Sequence, residues 1–375
     1  MTPLRILLTN ASDIYGGGEF FVYTLADSLT KRGRSVYVSC RKDNLLYKKC
    51  TDSGIKVFPV DYPSNNFPQN LIRVILTLKK FIAENKIDIV HTNTNYDRTA
   101  GAFAAKLGSA RHVASVHSSH SIQHNFTHWL RNRKLTDHFI VSGKNTRELL
   151  TEHDSINGNK ISLIYLGIDP EAMKRDFNMR NEIRASYGIT DKNILIGNVG
   201  RMVEFKGQEY LIKSFPNVLS NFPDARLMIV GSGKLENELH SLTQSLDIKE
   251  QVIFPGFRSE MQEIYSAFDI YAHTSIEGGG ELLPYAVLYA LAQKLPLVVT
   301  NVGDISAAVE EGVNGYLIKD GDNNAITDKL SILLKDFKLR ENMGKAGFDL
   351  LKREFTTDIM TDKIEKVYQK VMNYK

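Results

Sequence analysis

Short apolar runs alternate with amphipathic stretches along the whole chain, and that alternation admits few folds. Arg5–Thr9 reads as a buried strand. A glycine turn follows, then an apolar-periodic helix from about Glu19 to Arg32, ended by Gly33. Ser35–Cys40, Lys56–Val60, Ile87–His91, Arg111–His117 and His138–Val141 are further strands, with helices such as Leu71–Asn85 and Thr99–Leu107 between them. The pattern restarts after Ile168-Asp169-Pro170. Ile194–Val199, Arg226–Val230, Val252–Pro255, Ile270–Ala272, Leu297–Thr300 and Gly315–Ile318 are then the strands. Between them lie helices at Gln208–Leu219, Leu235–Gln244, Ser259–Ala267, Pro284–Ala292 and Ala325–Lys335. Strands without a polar face need cover on both sides, which means parallel sheets layered by helices. Two such series in 375 residues predict an α/β chain of two domains, divided near residues 167–175. Open sheets of this kind bind ligands at the carboxyl ends of their strands, so a cleft between the two domains is the expected site.

Composition narrows the class. At 42% hydrophobic and 24% charged, the chain is that of a globular protein. Apolar runs such as Ile194–Val199 and Leu295–Thr300 fall far short of the roughly 20 residues that a membrane span needs. The N-terminus runs straight into a strand pattern and shows no secretory signal. Cys40 and Cys50 offer neither a zinc nor a disulfide framework, so a reducing cytoplasm is the expected setting. Charge is uneven: residues 1–170 hold 22 Lys+Arg against 14 Asp+Glu, and the remainder 25 against 29. A basic first half suits an anionic partner such as a lipid headgroup, a membrane surface or nucleic acid; ordinary solvated charge explains it equally well.

Three glycine-rich segments follow strands. Gly16-Gly17-Gly18-Glu19 lies between the first strand and the first helix, where glycines let a ligand approach and the helix start attracts phosphate. It is not a Gly-x-Gly-x-x-Gly fingerprint, which disfavours a dehydrogenase. Gly200-Arg201 to Lys206-Gly207 follows Ile194–Val199 and places two cations on one strand-end loop, fit to clamp a diphosphate. Ser275-Ile276-Glu277-Gly278-Gly279-Gly280-Glu281 exposes backbone amides ahead of Pro284, which suits a helix start. His117 ends an apolar strand, where a polar side chain would face the cleft, and is followed by Ser118-Ser119-His120. His91 stands in a similar place. The bland readings are a tight turn, surface charge, a flexible loop and core histidines.

Taken together, in this order and spacing, these segments resemble glycosyltransferase family 4, retaining enzymes of the GT-B fold. Gly16-Gly17-Gly18-Glu19 matches the family's Gly-Gly-x-Glu, and Val116-His117 its strand-end histidine. Val141-Ser142 and Gly167-Ile168-Asp169 look like its Val-Ser and its domain-junction motif. Gly200-Arg201 through Lys206-Gly207 is similar to its Gly-Arg-x-x-x-x-Lys-Gly. Val230-Gly231-Ser232-Gly233 and Val252 to Phe257 match two further strand ends. The family's paired glutamates, seven residues apart, are altered. Helix register puts the first at Glu281 and a tyrosine, Tyr289, at the second; anchoring on the glycines puts the first at Glu277, with Tyr285 second. We prefer Glu281. Leu166 and Ala307 are further departures from the family pattern.

The resemblance implies two Rossmann-like domains whose parallel sheets face across a cleft. Residues 1–168 would form the acceptor side and 169–357 the donor side, with a C-terminal helix, 358–375, packing back on the N-terminal domain. It implies transfer of a sugar from a nucleotide diphosphate sugar to an acceptor hydroxyl with retention, in polysaccharide or glycolipid synthesis. The implied catalytic set is Arg201, Lys206, Glu281 and His117. Donor contacts fall to Gly16, Gly17, Gly18, Gly278, Gly279, Gly280, Leu282 and Leu283, and nucleotide contacts to Gly231, Gly256, Phe257, Arg258 and Tyr289. No metal and no obligatory cofactor is implied beyond the sugar nucleotide as co-substrate. The implied partners are the donor, a glycan or glycolipid acceptor and an anionic membrane surface, and not nucleic acid. The expected location is cytoplasmic, with peripheral attachment to the inner face of the membrane as a further expectation from composition. For the membrane, Leu71–Phe81 and Phe126-Thr127-His128-Trp129-Leu130-Arg131-Asn132-Arg133-Lys134 mix apolar and basic residues. An epimerase of the same fold and a non-catalytic sugar-nucleotide-binding subunit are the competing classes.

Overall fold

The structure is a computed structural model that describes residues 4–13, 16–62, 68–117 and 126–373. Ser118, Ser119 and His120, which follow His117, and residues 374–375 at the end of the expected last helix lie outside the described residues. The chain divides into two compact units, Met1–Gly167 with Thr357–Lys375, and Ile168–Thr356.

The strands of the first unit are β1 (Arg5–Thr9), β2 (Ser35–Ser39), β3 (Lys56–Val57), β4 (Ile89–Thr92), β5 (Arg111–Val116), β6 (His138–Val141) and β7 (Ile161–Leu163). Its helices are α1 (Gly17–Lys31), α2 (Leu45–Asp52), α3 (Pro68–Asn85), α4 (Asn95–Leu107), α5 (Phe126–Leu130) and α6 (Lys144–Glu152). All neighbouring strands pair in parallel, in the order β3-β2-β1-β4-β5-β6-β7. The order reverses direction at β1 and β4, the switch point of the sheet. β4 and β6 are buried along their whole length, as strands covered on both faces must be. β3 stops at Val57, short of the expected Val60. Phe58 and Val60 still donate to the Val38 and Cys40 carbonyls, but Pro59 between them has no N–H to continue the ladder.

The second unit contains β8 (Ile194–Val199), β9 (Ala225–Val230), β10 (Val252–Gly256), β11 (Ile270–His273), β12 (Leu297–Thr300) and β13 (Gly315–Ile318). Around them lie α7 (Phe177–Ser186), α8 (Gln208–Asn221), α9 (Glu236–Ser245), α10 (Met261–Ala267), α11 (Tyr285–Ala292), α12 (Asn323–Lys335) and α13 (Phe337–Glu354). The parallel order is β10-β9-β8-β11-β12-β13, with its switch point at β8 and β11. Leu211, Phe215 and Val218 of α8 and Ile326, Leu330 and Leu333 of α12 close one face of this sheet.

The last helix, α14 (Thr357–Asn373), belongs to the first unit and packs on α1. Its apolar face carries Ile364, Val367 and Val371, all buried. Arg32 pairs with Asp358 (2.8 Å), Asp362 (2.5 Å) and Glu365 (3.0 Å), and Arg34 with Glu365 (2.7 Å). Tyr368 sends its hydroxyl into the core to His91 Nδ1, at 2.6 Å. Among the described residues no helix is long and apolar enough to cross a membrane.

Candidate functional site

The switch point of the second unit is framed by the loops that follow β8 and β11, the two segments singled out in the sequence as cationic and glycine-rich. They are pressed together. A Cβ on Gly207, which has φ +62°, would collide with the Thr274 carbonyl, and one on Gly279 would collide with Phe205. Ile276 N donates to the Phe205 carbonyl at 2.8 Å, and Thr300 Oγ1 donates to the Ser275 carbonyl at 2.6 Å. Small side chains therefore bring the two loops into direct contact.

That contact assembles a charged centre. Lys206 Nζ pairs with Glu281 Oε2, and the two side chains are 13% and 8% exposed. Ser275 Oγ donates to the same oxygen at 2.7 Å, and His273 Nε2 lies 3.4 Å from it. His273 in turn meets Ser275 Oγ at 3.1 Å and, through Nδ1, the Tyr271 hydroxyl at 3.1 Å. The Lys206, Ser275 and His273 contacts to Glu281 all fall on its Oε2. Burial by itself would raise the Glu281 carboxyl, but its His273 hydrogen bond and the Lys206 charge hold it well below the usual carboxylate range. Burial lowers His273, which stays neutral. Arg201 is exposed, with its guanidinium carbon 5.8 Å from the Phe205 ring centroid; Lys206 Nζ is 5.3 Å from the same centroid. Both cations are thus gathered at one aromatic side chain.

Beside the cations runs a stretch of backbone with its donors open. None of the amides of Gly278, Gly279, Gly280, Glu281, Leu282 and Leu283 has an acceptor among the described residues. Leu282 and Leu283 bury their side chains, which anchors this backbone just before α11. Consecutive free amides ahead of a helix start form an anion-binding arrangement. Glu277, the alternative first glutamate, is exposed, and its amide donates to Asp320 at 3.1 Å. Of the two, it is Glu281 that stands against Lys206.

The remaining candidates of this unit occupy neighbouring strand ends. Gly231 N donates to the Gly256 carbonyl at 2.9 Å, and a Cβ on Gly231 would strike the Gly200 carbonyl. Packing alone therefore accounts for that glycine. Phe257 is largely exposed, and Arg258 is held by the Tyr187 hydroxyl (2.8 Å) and Glu260 (3.1 Å). Tyr289 lies on α11, partly exposed, edge-on to Tyr265 at 5.7 Å and nearly parallel to Tyr285 at 6.1 Å. His273 and Tyr271 were missed in the sequence. The signal was the one used for His117, a polar residue closing an apolar strand.

In the first unit, Gly16 and Gly17 are exposed at the start of α1. Glu19 ties this start to the end of β1: it accepts from Gly16 N at 2.8 Å and from Asn10 Nδ2 at 3.0 Å. His117 lies just beyond β5, partly exposed, edge-on to Phe21 at 4.7 Å, with no hydrogen-bond partner for Nε2 among the described residues. Burial, and then the Arg98 charge, bring it down to about 4, so it is neutral at pH 7. His91 is a core histidine, satisfied by Tyr368 and by Ser115 Oγ at 2.7 Å. Arg131, read in the sequence as part of a surface basic cluster, is instead buried, because the chain widens into a π turn at Arg131–Leu135 that leaves Arg133 and Lys134 outside. Among the described residues no group of His, Cys, Asp and Glu is arranged to hold a metal ion.

Two parallel Rossmann-like sheets, with cations and free amides at a strand-end switch point, define a GT-B glycosyltransferase. Family models agree: Glycosyltransferase Family 4 matches residues 15–172 and Glycosyl transferases group 1 matches residues 179–349. The chain belongs to this family of glycosyltransferases. It is 26% identical over 318 residues to the UDP-Gal:alpha-D-GlcNAc-diphosphoundecaprenol alpha-1,3-galactosyltransferase of Escherichia coli, covering 79% of each chain. Among solved structures, a glycosyltransferase of Rickettsia africae superposes with a TM-score of 0.89 at 17% identity, over 100% of both chains. The Anabaena protein HepE, solved in complex with UDP-glucose, gives 0.83 at 20% identity, over 98% of this chain and 100% of that one. At such identities these two show the fold alone.

Proposed function

We propose that this protein transfers a hexose from a nucleoside diphosphate sugar to a hydroxyl of a glycan or glycolipid acceptor with retention, in the assembly of a cell-surface polysaccharide or glycolipid. The observation that carries this reading is Lys206, paired with buried Glu281 beside six amides that have no acceptor among the described residues. An anionic leaving group set there meets cations and N–H donors already in place, which is how developing charge is stabilised without reorganisation. In the step itself the bond from the anomeric carbon to the diphosphate oxygen breaks. The acceptor oxygen bonds to that carbon on the same face, and its proton leaves with the diphosphate. Lys206, Arg201 and the amides of Gly278, Gly279, Gly280, Leu282 and Leu283 receive the diphosphate. Glu281, held through Oε2, keeps Oε1 for the donor-sugar hydroxyls. Gly256, Phe257 and Arg258 lie by the base. On the first unit, Gly16, Gly17, Gly18 and His117 are the donor-side residues, as the family resemblance implies, and the acceptor belongs to that unit. The E. coli relative supports a lipid-linked acceptor by its name.

The test is product formation from UDP-, GDP- and ADP-sugars over a panel of lipid-linked and free acceptors, with the anomeric configuration of the product read by NMR. Thermal shift with the same nucleotides gives binding separately, since a donor at about a hundred times its dissociation constant adds roughly 2.7 kcal/mol. A donor that binds and yields product of inverted configuration, or no product at all, would refute the reading.

Tyr289 is the ribose-side residue in this scheme. Tyr289→Phe keeps both ring contacts and removes only the hydroxyl, so nucleoside diphosphate affinity should fall by about 0.5–1.5 kcal/mol. Calorimetric titration showing unchanged affinity would make it a packing residue.

The first unit also suits an anionic membrane surface. Phe126 and Trp129 are 75% and 43% exposed, stacked at 5.9 Å, and followed by exposed Arg133 and Lys134. On α3, Val74, Leu78 and Ile82 are buried in the core while Ile72 and Leu76 face outward. Co-sedimentation with anionic liposomes should weaken with salt and drop in Trp129→Ser and in Arg133→Ser/Lys134→Ser. Equal recovery with neutral vesicles would remove the membrane from the scheme.

A further inference from the structure

Two cations inside the first unit have no part in the scheme so far. Arg98, near the start of α4, and Arg131 are each 2% exposed. Arg98 donates from Nη2 to the Ser115 carbonyl at 3.3 Å, while its Nε and Nη1 have no acceptor among the described residues. Arg131 donates from Nε to Asn132 Oδ1 at 2.8 Å and from Nη1 to Thr99 Oγ1 at 3.0 Å. Thr99 adjoins Arg98 in α4, and the two guanidinium charges act on each other. Neither is hydrogen-bonded to a carboxylate among the described residues. Asp97 uses its oxygens on Thr9, Asn93 and Thr94. Asp154 acts on both arginines through space. Burial lowers the two to about 10 and about 9, and both remain charged at pH 7.

Guanidinium N–H groups left unpaired in a protein interior are costly, and such groups call for a partner that completes them. Their position says which kind. Ser115 is the second-last residue of β5, and His117, just past the strand, is partly exposed with its own Nε2 unpaired. The unpaired Arg98 nitrogens therefore lie near the carboxyl end of a parallel strand, close to His117, where such sheets take ligands.

We propose that Arg98 and Arg131, beside His117, form an anion site that binds the phosphate or diphosphate group of the acceptor. Planar forks of this kind match phosphate oxygens better than any single point charge. The inference rests on the glycosyltransferase reading, in which His117 is donor-side and the first unit carries the acceptor. An acceptor sugar linked through phosphate would supply the anion this site takes. The site would make the enzyme selective for phosphate-linked acceptors.

The test uses the full chain carrying Arg201→Ala and Lys206→Ala, which disables the donor diphosphate site. Its melting temperature is read with inorganic pyrophosphate and with farnesyl diphosphate at constant ionic strength. Both should raise it by a few degrees, and adding Arg131→Gln or Arg98→Met should abolish the rise. Arg131→Gln in the otherwise unaltered chain should keep the full shift with its donor nucleotide, which localises the loss. If Arg98→Met does not fold, Arg131→Gln carries the test. A response to pyrophosphate alone makes this a free-phosphate site and overturns the acceptor assignment. No response to either compound, or one that survives Arg131→Gln, overturns the site itself. Failure of the glycosyltransferase reading is seen separately, as an unaltered chain that responds to no nucleoside diphosphate sugar.

Discussion

Alanine at Lys206, or at Arg201, should cut turnover by about a hundredfold or more, the loss expected when one preorganised electrostatic partner of a departing anion is removed. From sequence, both variants should melt near the parent temperature. The structure separates them. Arg201 is exposed and, among the described residues, its guanidinium meets Phe205 alone, so its removal leaves no buried partner behind. Lys206 forms a buried pair, and its loss leaves the Glu281 carboxylate to Ser275 and His273. Breaking such a pair costs up to about 3–5 kcal/mol. Lys206→Ala should therefore melt lower than Arg201→Ala. Adding Glu281→Gln should recover the melting temperature without recovering turnover. Steady-state assays and thermal melts of the four proteins decide this. Near-parental turnover in both single variants would remove the diphosphate from this loop.

Acidification should unfold the first unit well before its carboxylates titrate fully. Four of its histidines are neutral in the fold. Burial brings His91 to about 3 and His117 and His138 to about 4, and pushes His112 well below its ordinary value. The unfolded chain protonates each near 6.5. Between these values the unfolded state binds more protons, so the stabilising contribution is present above pH 6.5 and is lost as pH falls toward 4. Each histidine contributes a slope of up to about 1.4 kcal/mol per pH unit. Asp97 works in the opposite sense, since burial raises it to about 6 and the fold then takes up a proton. The net slope should remain steep and positive with pH. Urea unfolding at pH 7, 6 and 5 measures it, and His138→Phe should flatten it by about one proton. A stability that is level from pH 7 to 5 would mean that these side chains are charged or solvated in the native state.

Much of this protein is written in local sequence. Runs such as Ile194–Val199 and Leu297–Thr300 announce buried parallel strands because no polar face interrupts them. The strand-end loops are legible because glycine, proline, Arg201 and Lys206 are restricted residue types in restricted places. Helix register led to a preference for Glu281 over Glu277, and in the structure it is Glu281 that pairs with Lys206.

What the sequence could not carry are facts that depend on which segments meet. His91 and His117 look alike as strand-end histidines. Only packing distinguishes them, because Tyr368, distant in the chain, satisfies one while the other keeps an open nitrogen. Arg131 reads as one more charge in a basic run, yet a π turn takes it inside, where it reaches Thr99 on a distant helix. His273 gains a role only when the loops after β8 and β11 close on each other, a contact set by Gly207 and Gly279. Periodicity and composition act over neighbouring residues and so determine elements and loop chemistry. Burial, charge compensation and hydrogen-bond partnership are properties of contacts between distant residues, and the tertiary structure alone decides them.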